Sequence, residues 1–111
     1  MEITENRHGA VAVVKPTGPL MGADAERLKA HLADVTSRSL GRFVLDASAI
    51  PLADSRGLEV LAEAAQELGD SGQTLRMCGA GETLREVLEL TELAGLFEHY
   101  ADVNTAVRSF L

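Results

Sequence analysis

A short apolar run between two amphipathic segments is the feature that most constrains the fold of this chain. The run Phe43-Val44-Leu45 is closed by Asp46, and such a run is typical of a strand buried on both faces. On either side of it, apolar residues recur at steps of three and four, which is the period of a helix. A strand between two helices predicts a layered α/β fold whose parallel strands are joined by right-handed crossovers.

Each helical segment presents one apolar stripe. The first stripe consists of Ala25, Leu28, Leu32 and Val35. The second helix is predicted to begin at Ser55, after a loop over residues 47–53, and to end at Gly69-Asp70. Its stripe consists of Leu58, Leu61, Ala62, Ala65 and Leu68, opposite an acidic row of Glu59, Glu63 and Glu67. Both helices are therefore expected to pack one face against a sheet.

The remaining elements have weaker signals. Turn-forming residues Asn6 to Gly9 stand between residues 2–5 and the β-branched segment 11–14, which predicts an N-terminal hairpin. Residues 74–78 are predicted as a strand, 83–90 as a helix, and 105–110 as a terminal helix capped by Asp102 or Asn104. Residues 1–111 are thus predicted to form one α/β domain with a mixed sheet of about four to five strands and about four helices.

Composition argues against nucleic-acid binding. The formal net charge is -7, Lys and Arg form no run, and the chain contains no Trp and a single Tyr. Phosphate backbones need a basic surface and single-stranded bases need aromatic platforms, and neither is supplied. An acidic surface instead favours a partner that carries a basic patch.

No metal, cofactor or membrane segment is predicted. Cys78 is the only cysteine, and the three histidines, His8, His31 and His99, are too far apart in the sequence for ligand spacing. Gly79-Ala80-Gly81 lacks the third glycine of a dinucleotide loop. The first residues lack the pattern of a signal peptide, and no apolar run is long enough to span a bilayer, so the sequence predicts a cytoplasmic protein.

The segment Asp54-Ser55-Arg56-Gly57 opens the second helix and invites two interpretations. Ser55 and Gly57 match half of the G-x-S-x-G motif of hydrolases, but Ala53 replaces the first glycine, so no enzyme is predicted. Asp54 or Ser55 can be a plain N-cap. Alternatively, Ser55 can accept a phosphoryl group, because a helix N-terminus favours an anion and Gly57 removes a side chain that would crowd it.

A family resemblance bears on this choice. The stretch FVLDASAIPLADSRGLEVL resembles the signature of the STAS domain, which is found in bacterial anti-sigma-factor antagonists and in the tails of sulphate transporters. The earlier stretch AVAVVKPTGPLMGADAERLKAHL resembles the family's second strand, Gly-x-Leu turn and first helix. The later stretch LREVLELTELAGLFEHYADVNTAV resembles its third helix and the elements that follow. The resemblance implies a single-domain STAS-like fold.

In the antagonists of this family, an anti-sigma-factor kinase phosphorylates the serine after the Asp and binds only the unphosphorylated form. The resemblance therefore implies that Ser55 is the phospho-acceptor, that Asp54 presents it and that Gly57 opens the helix for docking. It implies a partner surface of Asp54, Ser55, Arg56, Gly57 and Glu59, an anti-sigma-factor serine kinase as partner, and a PP2C-type phosphatase as a second one. Arg56 departs from the family, which has a small residue there.

Two alternatives stay open at this point. One is a STAS scaffold that is never phosphorylated, within a signalling or lipid-transport complex. The other is a degenerate response-regulator receiver, because the same stretch also resembles the middle of receiver domains, with Asp46 as phosphate acceptor and Pro51 after it. Receivers also need an acidic pair that holds a divalent cation, and the sequence before Asp46 offers no matching pair.

Overall fold

A computed structural model describes residues 1–111 of the chain. The strands are β1 (Glu2–His8), β2 (Val11–Thr17), β3 (Phe43–Asp46), β4 (Leu75–Cys78) and β5 (Phe97–Tyr100). The α-helices are α1 (Gly22–Ser39), α2 (Ser55–Asp70), α3 (Glu82–Leu90) and α4 (Val103–Arg108), and a 3-10 turn spans Ala94–Leu96. None of the helices combines the length and the apolar character that crossing a membrane requires.

The five strands form one mixed sheet in the order β1-β2-β3-β4-β5. β1 pairs antiparallel with β2, whereas the pairs β2–β3, β3–β4 and β4–β5 are parallel. The prediction of a mixed α/β sheet is therefore confirmed. Receivers share the flavodoxin-like strand order 2-1-3-4-5, so the receiver hypothesis does not fit this sheet.

The N-terminal hairpin is present, but its turn lies later than the sequence predicts. Asn6 to His8 belong to β1, and His8 pairs directly with Val11. The turn consists of Gly9 and Ala10, with Gly9 at φ +65°. A two-residue hairpin turn needs a positive φ at its first central position, and only Gly9 among the turn-forming residues adopts it without strain.

Strand β3 is buried on both faces, as its apolar run predicts. Phe43 and Leu45 face the main core, which α1, α2 and α3 cover. Val44 faces the opposite way and packs in a smaller cluster with Val11, Val13, Cys78 and Ala106 of α4. Successive side chains of a strand point to opposite faces, so one short run supplies both layers.

The buried stripe of α2 differs from the predicted one. Its buried residues are Gly57, Val60, Leu61, Ala65 and Leu68, whereas Leu58 and Ala62 are only half-buried. Helix α1 packs against α2, and Leu20 of the loop before α1 packs against Gly57. The sequence period locates the stripe, but contacts with other segments decide which of its residues are buried.

The parallel strands place the start of α2 at one edge of the sheet. β2, β3, β4 and β5 run in the same direction, so their carboxyl ends meet at this edge, which we call the carboxyl edge. The loops that follow β2 and β3 lie there, and so do the first residues of α1 and α2. The predicted cap Asp102 is confirmed, since its side chain accepts a hydrogen bond from the Thr105 N–H.

Candidate functional site

Asp54 is the N-cap of α2, and its carboxylate serves two helices. One oxygen, Oδ1, accepts a hydrogen bond from the Gly57 N–H at 2.7 Å. The other, Oδ2, accepts one from the Gly22 N–H at 3.1 Å, at the start of α1. The Gly57 N–H contributes most to lowering the pKa of this carboxyl group. Asp54 therefore fixes the two helix starts relative to each other.

Ser55 is the first residue of α2, and it is exposed. Since Asp54 provides the cap, the Ser55 hydroxyl is not needed for it. A group attached to this oxygen would stand at the positive end of a helix of 16 residues, in solvent. The geometry thus presents a free hydroxyl where an added negative charge is compatible with the helix below it.

Gly57 is buried, and the reason for a glycine here lies inside the molecule. A Cβ atom at this position would lie 2.3 Å from the Leu20 carbonyl oxygen and 3.2 Å from the Ala53 Cβ. The expectation that Gly57 leaves room for an incoming group is therefore corrected, because the space beside it is filled by the protein's own backbone. Because Gly57 has no side chain, the start of α2 can approach the β2–α1 loop closely.

The two loops at the carboxyl edge are tied together at Leu20 and Ala53, which form an isolated parallel bridge. The Leu20 N–H donates to the Leu52 carbonyl at 2.9 Å, and the Asp54 N–H donates to the Leu20 carbonyl at 3.1 Å. The same Leu20 oxygen that contacts Gly57 is therefore also an acceptor in this bridge. The Leu20 carbonyl group thus determines both the close packing at Gly57 and the position of the Asp54 cap.

Arg56 lies across the seam between α1 and α2. Its guanidinium bonds to Glu59 at 2.8 Å and to Glu63 at 3.3 Å on its own helix. It also reaches Glu26 of α1, with one nitrogen–oxygen distance of 3.2 Å. These contacts raise the pKa of Arg56 and lower that of Glu26, with the Arg56–Glu26 hydrogen bond as the main cause in each case. Arg56 is therefore a link between helices.

Asp46 has a different environment from that of an exposed phosphate acceptor. It is 8 % exposed, and its Oδ1 accepts a hydrogen bond from the Ser48 N–H at 3.0 Å. A Cβ at Gly79 would lie 3.5 Å from the same oxygen. The carboxylate thus shapes the loop after β3, which again does not fit the receiver hypothesis.

The structure places the predicted residues 54–57 in a single helical turn, with Glu59 exposed in the next turn. The residues that sequence reasoning missed come from the other loop and helix: Leu20, Met21, Gly22 and Glu26. The Gly-x-Leu turn pointed to the region of Leu20. Nothing local indicates that Glu26 meets Arg56, which lies 30 positions away.

The family whose model matches this chain covers nearly all of the residues that form the sheet and its helices. The model of the STAS domain matches residues 2–106. BtrV of Bordetella bronchiseptica, named as an anti-sigma factor antagonist, is 28 % identical over 97 residues, which cover 87 % of this chain and 84 % of that protein. The crystal structure of an anti-sigma factor antagonist from Mycobacterium paratuberculosis is 25 % identical, with a TM-score of 0.83 over 97 % of this chain and 92 % of that one.

More distant structures share the fold. The phosphorylated form of the Bacillus cell fate determinant SpoIIAA has a TM-score of 0.74 at 15 % identity, over 99 % of this chain and 100 % of that one. The murine anion transporter Slc26a9 matches 95 % of this chain with 18 % of its own length, at a TM-score of 0.75 and 15 % identity. With a family match over nearly its whole length, the chain belongs to the STAS domain family, and its relatives include anti-sigma factor antagonists.

Proposed function

We propose that this protein is an anti-sigma-factor antagonist switched by phosphorylation of Ser55. The unphosphorylated form binds an anti-sigma factor that is also a serine kinase, and phosphorylation of Ser55 releases it. Because the bound anti-sigma factor cannot hold its sigma factor, the switch regulates sigma-factor-dependent transcription. The partner surface comprises Asp54, Ser55, Arg56 and Glu59, with the buried Gly57 supporting it from below.

The exposed Ser55 hydroxyl beside the Asp54 cap is the observation that carries this proposal. A phosphate on Ser55 adds about two negative charges at neutral pH. The helix N-terminus tolerates them, so the fold is expected to persist. The same charges would have to lose water in a complex, which opposes binding. The modification therefore acts on association and leaves folding nearly unchanged.

The remaining parts of the proposal follow from the same role. A protein that only binds or releases a partner needs no catalytic residue, cofactor or metal of its own, and we propose none. The kinase supplies the phosphoryl group from ATP, and a PP2C-type phosphatase removes it. The proposed setting is the cytoplasm, without contact to nucleic acid or membrane. SpoIIAA supports the idea of a fold that survives phosphorylation, since its unphosphorylated and phosphorylated forms match this chain with TM-scores of 0.73 and 0.74.

Mass spectrometry after incubation with the cognate kinase and ATP tests the assignment. The kinase used is a histidine-kinase-like ATPase of the anti-sigma-factor class. Wild type should gain one phosphate, and Ser55→Ala should gain none. Ser71→Ala, at the far end of the same helix, is the matched control and should be phosphorylated like wild type. A phosphate that persists in Ser55→Ala refutes the assignment.

A second candidate is a STAS scaffold that is never phosphorylated, within a signalling or lipid-transport assembly. The occurrence of this fold inside an anion transporter supports it. So does the charged Arg56 directly after the proposed acceptor. Wild-type protein that binds the kinase-like ATPase with ATP present and remains unmodified would favour the scaffold.

A further inference from the structure

Two exposed apolar side chains flank the start of α2. Met21 is 44 % exposed and Leu52 is 43 % exposed, and they belong to a set of only five large apolar residues with such exposure. Of the other three, Leu111 lies beside the β1–β2 turn, at the amino end of β2, and Leu40 and Leu90 stand at the ends of α1 and α3. Crossover helices run back along the sheet, so those ends lie at the opposite edge. Met21 and Leu52 are thus the pair at the carboxyl edge.

The bridge between Leu20 and Ala53 explains why both side chains face solvent. Leu20 is fully buried, and Ala53 packs against the main core. In extended backbone, neighbouring side chains point to opposite sides. Met21 and Leu52, each next to one bridge residue, are consequently turned outward on the same side. We call these two side chains the Met21–Leu52 patch.

Met21 does not serve the helix that it precedes. It is the N-cap of α1 in extended conformation, and its side chain makes no capping hydrogen bond. Ser, Thr, Asp and Asn are preferred at this position because they satisfy a free N–H. A methionine that is half-exposed supplies neither a cap nor full burial. Positions where a local preference is ignored without a gain in packing are where function is expected.

The patch is also held in place before any partner arrives. The Leu20 N–H bonds to the Leu52 carbonyl, and the Gly18 N–H bonds to the Ala49 carbonyl at 3.0 Å. The Gly22 N–H, directly after Met21, bonds to Asp54. A surface whose backbone is already ordered loses little conformational entropy on binding.

We infer that the Met21–Leu52 patch is the apolar anchor point for the kinase of the proposed switch, an inference that rests on the proposed function. The kinase contributes an apolar side chain that covers the patch and basic residues around it. In the ion-pair cluster between α1 and α2, Glu26, Glu59 and Glu63 outnumber Arg56 and Lys29, so this cluster retains negative charge that complements a basic rim. Phosphate on Ser55 then stands at the margin of a dewetted apolar contact, where an ion is least tolerated.

Calorimetric titration with the purified kinase, without ATP, tests the patch. The variant Met21→Ser/Leu52→Ser should bind at least tenfold more weakly than wild type. Leu90→Ser, which removes a still more exposed leucine at the opposite edge, should bind like wild type. The swap Met21→Leu/Leu52→Met keeps the apolar surface and should stay within about threefold of wild type, since volume-conserving changes are well tolerated.

Thermal unfolding of the same variants separates binding from folding. Met21→Ser supplies a better cap, so the double serine variant should melt no lower than wild type. Equal affinity of wild type and the double serine variant would overturn the patch while leaving the proposed function in place. Wild-type protein that neither binds the kinase nor is phosphorylated by it would overturn both. If the swap variant also bound weakly, the claim that the kinase recognises this patch as an apolar surface would be overturned.

Discussion

A Cβ atom at Gly57 would lie 2.3 Å from the carbonyl oxygen of Leu20. This oxygen accepts the hydrogen bond of the Asp54 N–H, so the contact joins helix packing to the helix cap. The first turn of α2 is thus built around a backbone approach that only glycine permits. The proposed phosphorylation site depends on this packing, although the packing residue itself is buried.

Gly57→Ala should therefore destabilise the protein, even though alanine is the better helix former. Overpacking costs about 1–3 kcal/mol, and a backbone atom that cannot move freely places this contact towards the upper end, above the gain of about 1 kcal/mol in helix propensity. Gly69→Ala is the matched control, because a Cβ there meets nothing within 4 Å in the same helix. Urea unfolding should show a loss for Gly57→Ala and a gain for Gly69→Ala. A gain in both would contradict the packing argument.

Arg56→Ser should weaken the contact between α1 and α2. The change leaves Glu26, Glu59 and Glu63 without their shared cation, so three carboxylates repel one another. Added salt should reduce the difference in stability from wild type, because exposed charges are screened. A double-mutant cycle with Glu26→Gln, read by urea unfolding, measures the link between the helices. A coupling free energy of zero would show that the ion pair adds nothing to folding.

Arg56→Ser also tests whether Arg56 restricts which kinases act on Ser55. A long cation after the acceptor excludes catalytic clefts that fit a small residue there. The variant should be phosphorylated by a broader set of related kinases than wild type. If the kinase preference did not change, the role of Arg56 would be limited to linking α1 and α2.

Acid should loosen the attachment of β1 to α1. Glu5 accepts two hydrogen bonds from Arg38, at 2.9 and 3.0 Å, and contacts His31 at 2.8 Å. The Arg38 hydrogen bonds are the main reason why the pKa of Glu5 falls from 4.5 to about 2. A pKa that is lower in the folded state contributes stability above pH 4.5, and this contribution is lost as the pH falls towards 2.

Glu5→Gln should accordingly lose stability at neutral pH and show a smaller further loss below pH 4.5 than wild type. Glu2→Gln, in the same strand and outside this cluster, serves as the control. Urea midpoints across the acid range provide the measurement. Parallel pH profiles for wild type and Glu5→Gln would contradict the assigned pairing.

Ser55→Asp should separate stability from affinity. A negative charge at the first residue of α2 is favourable by about 0.3–1 kcal/mol, so the Tm should stay equal or rise slightly. Kinase binding should weaken at least tenfold, which corresponds to about 1.4 kcal/mol. Ser71→Asp places the same charge at the helix C-cap, where it should lower the Tm and leave binding unchanged. Equal affinities of wild type and Ser55→Asp would contradict the charge switch.

The alternation of strands and helices is visible in the sequence because it depends on local periodicity. The run Phe43–Leu45 predicted a strand buried on both faces, and both layers of the core are found beside it. The cap at Asp102 was among the predicted caps, and Asp54 was likewise one of two candidates for α2. Capping needs only a side chain and an N–H three residues away, so a local pattern suffices.

Contacts between distant segments were decided only by the tertiary structure. The sequence shows that Gly57 opens a helix at a cost in propensity, yet its reason is the Leu20 carbonyl from another loop. Arg56 bonds to Glu59 on its own helix and also to Glu26 on α1, 30 positions away. Such contacts depend on how two loops and two helices are placed against each other, and no period within a single segment records that placement.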